Sequence, residues 1–128
     1  MTYLSFLALF LVVPLGLLAA GLLFMARQGR PLSSAAPIAL LVHIALAVAY
    51  TTPWDNYLVA TRVWAYDPAR VLGVTFGWVP LEEYLFFVLQ TLLSGLIALA
   101  LARRLPTAYL MWMLVRETWR RLAKTTSA

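Results

Sequence analysis

The sequence contains no cysteine, which excludes disulfides, thiolate metal sites and thiol redox chemistry. Charge is nearly as scarce: 12% of the 128 residues are charged and 63% are apolar, against about 25% and 45–50% in an ordinary soluble domain. No Asp, Glu, Lys or Arg occurs in residues 1–26, 31–54 or 84–102. At about 1.5 Å per residue, each run has or nearly has the ~20 residues that cross a ~30 Å hydrocarbon layer. These shortages exclude a soluble globular domain and indicate a small polytopic membrane protein. Also missing are a G-x-G-x-x-G turn after a strand, a glycine-rich phosphate loop with lysine, and an aspartate-rich helix of the kind that holds magnesium diphosphates. Nicotinamide, flavin, prenyl-diphosphate and resident-metal chemistry therefore lack support, and no cofactor is expected.

What is present reads as one all-α membrane domain over residues 1–128, with three transmembrane helices and an amphipathic interfacial helix. The first helix is expected over about 3–26; with no basic stretch before it and too long an apolar run for a signal peptide, it reads as retained. Pro14 and Gly16 predict a kink within it, and Gly29 and Pro31 supply its stop. The second helix is expected over 35–52 and the third over 80–102. Between them, a stretch rich in Tyr, Trp, Val and Thr fits a hairpin, a re-entrant piece or short interfacial helices equally well. Its Tyr57, Trp64, Tyr66 and Trp78 suit the headgroup boundary. Over 107–123, Ala108, Trp112, Val115, Trp119 and Leu122 share one helical face, with Arg116, Arg120, Arg121 and Lys124 off it. That pattern predicts a helix lying on an anionic leaflet, each basic residue adding about 1 kcal/mol.

The net charge of +5 reads as membrane orientation, not nucleic-acid binding. Eight of the ten Lys and Arg fall after the first helix, at the end of the third, or in the tail. The positive-inside rule puts those segments in the cytoplasm, with the N-terminus and residues 53–79 outside.

Two polar clusters border apolar helices: Pro53-Trp54-Asp55-Asn56, and Pro80-Leu81-Glu82-Glu83-Tyr84. Glu83, Phe87, Gln90 and Ser94 follow helical spacing and predict a polar stripe facing protein or a cavity. Glu82 lies about 100° round the helix, above Phe86 and Leu89. Two readings of the glutamates stay open. Proline followed by glutamate is ordinary helix-start chemistry, favoured by the macrodipole. Alternatively, two coupled acids at an apolar boundary are suited to proton donation and return. Asp55 is equally readable as a polar anchor of the second helix, and His43 as a hydrogen-bonding partner of a neighbouring helix or a metal ligand. Trp54, Trp64, Phe86 and Phe87 read as boundary packing or as cation-stabilising faces, each worth about 0.5–2 kcal/mol.

The segments Tyr50-Thr51-Thr52-Pro53-Trp54-Asp55-Asn56-Tyr57, Trp64-Ala65-Tyr66 and Val79-Pro80-Leu81-Glu82-Glu83-Tyr84-Leu85-Phe86-Phe87-Val88-Leu89-Gln90-Thr91 resemble the integral-membrane lycopene cyclases. That family includes two-subunit bacterial cyclases and the cyclase domain of fused fungal enzymes; this chain resembles the N-terminal of two such units. The resemblance implies a non-redox isomerase, an intramolecular lyase, in carotenoid biosynthesis. Protonation of a terminal double bond of lycopene gives a tertiary cation, the neighbouring double bond closes a ring, and proton loss leaves a β-ring. For that chemistry Glu82, Glu83 and Asp55 are the candidate catalytic groups, with Glu83 the expected donor because its stripe through Phe87 and Gln90 enters the apolar layer, and Glu82 the base or charge partner. Trp54, Asn56, Trp64, Phe86, Phe87 and Gln90 become candidate substrate contacts. The resemblance also implies a heterodimer with a related small subunit, since three helices enclose little space. The alternatives are a carotenoid hydratase, in which water captures the same cation, and a non-catalytic subunit of a transport or assembly complex with the glutamates as a proton relay.

Overall fold

In the computed structural model, the backbone is described for residues 1–104 and 106–126, and the side chains for 1–103 and 111–124. Three helices have the length and apolarity to cross a membrane: α1 (Tyr3–Arg27), α2 (Ala36–Ala60) and a third, α3, that continues from Leu81 to Arg104. A fourth, α4, spans Pro106–Thr126. A two-residue ladder joins β1 (Thr75–Phe76) to β2 (Val79–Pro80), antiparallel, with Thr75 opposite Pro80 and Phe76 opposite Val79.

Just before Pro14, where a kink is expected, α1 contains a π-helical segment, Ala8–Val12. Proline lacks an N–H and its ring crowds the carbonyl four residues back; widening the preceding turn relieves that clash without ending the helix. The α1 stop follows expectation. Gly29 adopts φ +77°, Arg30 N–H donates to Met25 O at 3.0 Å, and Gly29 N–H donates to Ala26 O at 3.1 Å, the paired bonds of a Schellman cap.

The second helix differs from expectation, ending not at residue 52 but at Ala60, with Pro53 inside it. Side-chain bonds to helix carbonyls flank the proline: Thr51 Oγ1 donates to Ala47 O at 2.6 Å, and Asn56 Nδ2 donates to Thr52 O at 2.8 Å. The true stop is a second Schellman cap. Arg62 stands at φ +59°, its N–H donating to Val59 O at 3.0 Å and that of Val63 to Leu58 O at 2.9 Å. A non-glycine residue there costs about 1–2 kcal/mol, and with arginine in that place the sequence has no glycine to announce this boundary. The loop is thus shorter than 53–79, and Asp55 and Asn56 lie on helical turns.

The helices α2 and α3 pack together closely at Gly95, where an added Cβ would come within 2.7 Å of Leu40 Cδ2. The start of α1 lies beside the loop after α2, since Tyr3 N–H donates to Arg70 O at 2.9 Å. At the opposite end Arg103 Nη2 donates to Arg30 O. The three spans therefore alternate in direction. Residue 3 and the 61–80 loop share one end of the bundle, and residue 30 and the end of α3 share the other.

The expected stripe Glu83, Phe87, Gln90 and Ser94 is only half inward. Phe87 is buried, but Gln90 and Ser94 are exposed on this chain, and the buried side of α3 runs through Phe87, Thr91 and Gly95. Ser94 Oγ donates within its own helix, to Gln90 O at 2.9 Å. His43 is also exposed and lines a shallow groove with Ser94 and Gly95. In α4, Trp112, Val115 and Trp119 are exposed, Arg116 sits 5.0 Å from the Trp112 ring centroid, and Arg121 pairs with Glu117 at 3.4 Å. Ala108, expected on the same apolar face, lies outside the residues whose side chains are described.

Candidate functional site

The end of the bundle that holds residue 3 also gathers the acids. Its framework begins with Asn56, whose amide is fully occupied: Nδ2 donates to Thr52 O and to Tyr84 Oη (3.3 Å), while Oδ1 accepts from Trp78 N–H at 2.8 Å. Tyr84 Oη in turn donates to Phe76 O at 3.0 Å. Asn56, expected to contact substrate, thus fastens α2 to α3 and to the Gly77-Trp78 turn. Gly77 has φ +65°, as the first central residue of a type II′ turn requires, and a Cβ there would run into the Asn56 carboxamide.

The same end shows why the two adjacent glutamates have different occupations. Glu82 is fully enclosed, and its Oε1 accepts from Leu72 N–H. Beside it, Leu81 N–H donates to Val74 O at 2.8 Å, so an otherwise orphaned donor at the start of α3 is satisfied by the loop. Glu82 is therefore a pin that holds the 70s segment over the helix start. Its Oε2 is buried and finds no hydrogen-bond partner among the described residues.

Glu83, turned about 100° away by the helical period, faces a different set of groups. Tyr3 Oη donates to its Oε2, and the Tyr66 hydroxyl interacts with the same carboxyl. Asp55 lies within electrostatic reach of Glu83, Tyr3 and Tyr66. It is only 6% exposed, and its buried Oδ2 has no hydrogen-bond partner among the described residues. The structure thus brings together Tyr3, Asp55, Tyr66 and Glu83.

Tyr66 reaches the cluster from the loop. Partial burial, then the nearby carboxylate of Glu83, pushes its hydroxyl well above the usual phenol range. It therefore remains a neutral O–H donor at any ordinary pH. The turn that carries it onward is built by Asp67, whose Oδ1 accepts from Ala69 N–H at 2.9 Å and whose backbone carbonyl accepts from Arg70 N–H at 2.9 Å. Arg70 then presents its carbonyl to Tyr3 N–H, fixing the start of α1 against the loop. Its guanidinium pairs with Asp67 at 3.2 Å at the surface.

The aromatic candidates spread over several surroundings. Trp64 lines an open groove of about 370 Å³ together with Tyr66, Pro68, Trp78 and Pro80. Phe87 is buried, in edge contact with Tyr84 (5.9 Å) and Phe86 (6.3 Å). Trp54 is exposed and stacks on Tyr57 at 5.9 Å, on the outside of α2. Gln90, exposed further along α3, stands apart from the acid cluster. Among the described residues no three His, Asp or Glu side chains gather as a metal site would require.

Sequence reasoning did not single out Tyr3, and it assigned Tyr66 only to the headgroup boundary. For Tyr3 the one available signal is a hydroxyl placed at the head of a long apolar run. Nothing in its spacing points to a residue 80 positions away.

The family model described as lycopene cyclase matches residues 1–101. A "Lycopene beta-cyclase" of Halobacterium salinarum is 48% identical over 107 residues, 84% of this chain and 43% of the relative. A "Bifunctional lycopene cyclase/phytoene synthase" of Gibberella fujikuroi is 38% identical over 95 residues, 73% of this chain and 16% of the relative. The chain thus spans less than half the length of these curated relatives. No solved structure matches it.

Proposed function

This chain belongs to the lycopene cyclase family, and from that membership we propose that it is one half of a lycopene β-cyclase, an isomerase that closes β-rings on the acyclic ends of lycopene. The observation that carries the reading is the convergence of Asp55 and Glu83, with two tyrosine hydroxyls, at one membrane-boundary end of the bundle. Ring closure by this route needs a proton delivered to a terminal double bond and another removed from the ring. Two carboxyl groups meet that need with no net redox change. Apolar surroundings keep water from the tertiary cation, and aromatic faces such as Trp64 and Phe87 stabilise it. The groove beside Tyr66 is an approach of suitable character for an apolar isoprenoid end. In this reading Glu82 serves the reaction by holding the loop that carries Tyr66, and Trp54 and Gln90 meet the substrate only once a second, related small subunit covers them.

The test is pigment analysis in a lycopene-accumulating host expressing this chain with candidate second subunits. The expected product has the mass of lycopene and carries β-rings. A product heavier by one water would mark a hydratase, and unaltered lycopene with every candidate would overturn the enzymatic reading.

The basic bias supports an orientation with residues 27–37 and α4 in the cytoplasm and the acid cluster at the outer face. A cysteine introduced at Ser33 is expected to resist an impermeant thiol reagent in intact cells, with no native thiol to confuse the result. Labelling of that cysteine from outside would reverse the assignment.

A further inference from the structure

We infer that Tyr3 and Tyr66 hold Glu83 as the proton acceptor of the ring-closing reaction, and that Asp55 is the proton donor. The inference rests on the cyclase reading above and reverses the role that helical spacing assigns to Glu83. A carboxyl that takes a proton from carbon does so as a carboxylate, and a carboxylate in apolar surroundings needs O–H or N–H donors at its oxygens. Glu83 has them: Tyr3 donates to Oε2, and the Tyr66 hydroxyl interacts with the same group. A phenol has one proton to donate, and both of these arrive from outside α3, one from the head of α1 and one from the loop. Glu83 is therefore oriented by tertiary structure and not by its own helix. Asp55 is placed in the opposite way, 6% exposed with a buried oxygen that meets no donor among the described residues. Such a setting suits a carboxyl that carries its own proton until an acceptor arrives.

The proton balance closes without a co-reactant. Asp55 gives its proton to the terminal double bond of the lycopene end, leaving a tertiary cation on carbon and a carboxylate on Asp55. The neighbouring double bond attacks that cation, forming the ring bond and moving the positive charge into the ring. Glu83 removes a ring proton, whose electron pair becomes the ring double bond. Glu83 then gives up that proton and Asp55 takes one up from solvent at this end of the bundle, which restores both groups. Tyr3 and Tyr66 exchange no proton with substrate; they are positioning residues. Because they fix where the accepting oxygen stands, they also fix which ring proton is lost, and so the position of the ring double bond.

The experiment compares products from membranes containing the complete two-subunit assembly, supplied with lycopene in deuterated water. In Asp55→Asn, cyclised and hydrated products are expected to fall together by at least ~10²-fold, with no deuterium entering recovered lycopene. In Glu83→Gln the donor is intact, so lycopene is still consumed, but the β-ring share falls. In its place appear rings with a displaced double bond, or products heavier by one water. Tyr3→Phe is expected to shift products in the same direction and lower kcat roughly 10- to 100-fold with KM unchanged, and to add nothing to Glu83→Gln. Tyr66→Phe provides the same comparison if Tyr3→Phe fails to accumulate. The inference is overturned if Glu83→Gln leaves lycopene untouched, if Asp55→Asn still yields rings or water adducts, or if the tyrosine variants keep the wild-type product pattern and rate. A wild-type assembly that makes no cyclised product defeats the cyclase reading itself, before any variant is compared.

Discussion

Asp55→Asn and Glu83→Gln are each expected to lower β-ring formation per folded complex by at least ~10²-fold, the usual scale for loss of a general acid or base. Glu82→Gln is expected to stay within a few-fold of wild type. The amide substitutions keep side-chain size but leave a group that can neither give up nor take a proton. Glu82→Gln retains an oxygen to accept from Leu72 N–H, so the loop stays pinned. If all three acids were merely structural, the outcome would be different. Glu83→Gln would keep an oxygen to accept from Tyr3 and lose mainly the dipole contribution of the first turn of α3, ~0.3–1 kcal/mol, and activity would follow the amount of folded protein. Asp55 would be harder still to explain, because it lies five residues before the end of α2, where the helix offers a carboxylate no favourable dipole. Turnover normalised to folded complex, measured by chromatography of the pigments, decides the matter. Near-normal rates in both Asp55→Asn and Glu83→Gln would eliminate the proposed chemistry.

The second large effect concerns assembly. Expressed alone in a lycopene-accumulating host, this chain is expected to give no cyclised pigment above background, and co-expression with a related small subunit is expected to restore it. The match covers only 43% of the halobacterial relative, so more than half of that protein has no counterpart in it. The exposed surface carries the same message. His43, Gln90 and Ser94 are exposed on helices of spanning length. Polar side chains in the hydrocarbon layer normally face protein or water-filled space. A groove of about 370 Å³ that is open along one side holds only part of an extended polyene. Conversion of lycopene by the purified chain alone would overturn this expectation and make a homo-oligomer the better description.

Much of the architecture was legible because a bilayer leaves a chain few options. Backbone polar groups must be satisfied inside the layer, so an uncharged run of sufficient length becomes a helix whatever its neighbours do. For that reason the three spans, their alternating directions and the stop at Gly29 followed from composition and spacing. That Pro53-Trp54-Asp55-Asn56 approaches Pro80-Leu81-Glu82-Glu83 followed as well, from two polar clusters on the same side of the bundle.

What sequence left undecided depended on contacts between residues far apart in the chain. The end of α2 was misplaced because local rules treat Pro53 as punctuation, whereas the helix passes through it to a cap whose left-handed residue is Arg62. The two glutamates are adjacent and chemically identical. Their difference arises only when Leu72 closes over one of them and Tyr3 and Tyr66 over the other. Helical periodicity could say that they point about 100° apart, but not what each would meet. Sequence by itself determined three helices long and apolar enough to cross a membrane among the described residues, with carboxyl groups near one end, because hydrophobic length and charge are local properties. Only the tertiary structure decided which carboxyl receives hydrogen-bond donors, because those donors come from the head of α1 and from the loop, brought to α3 by folding alone.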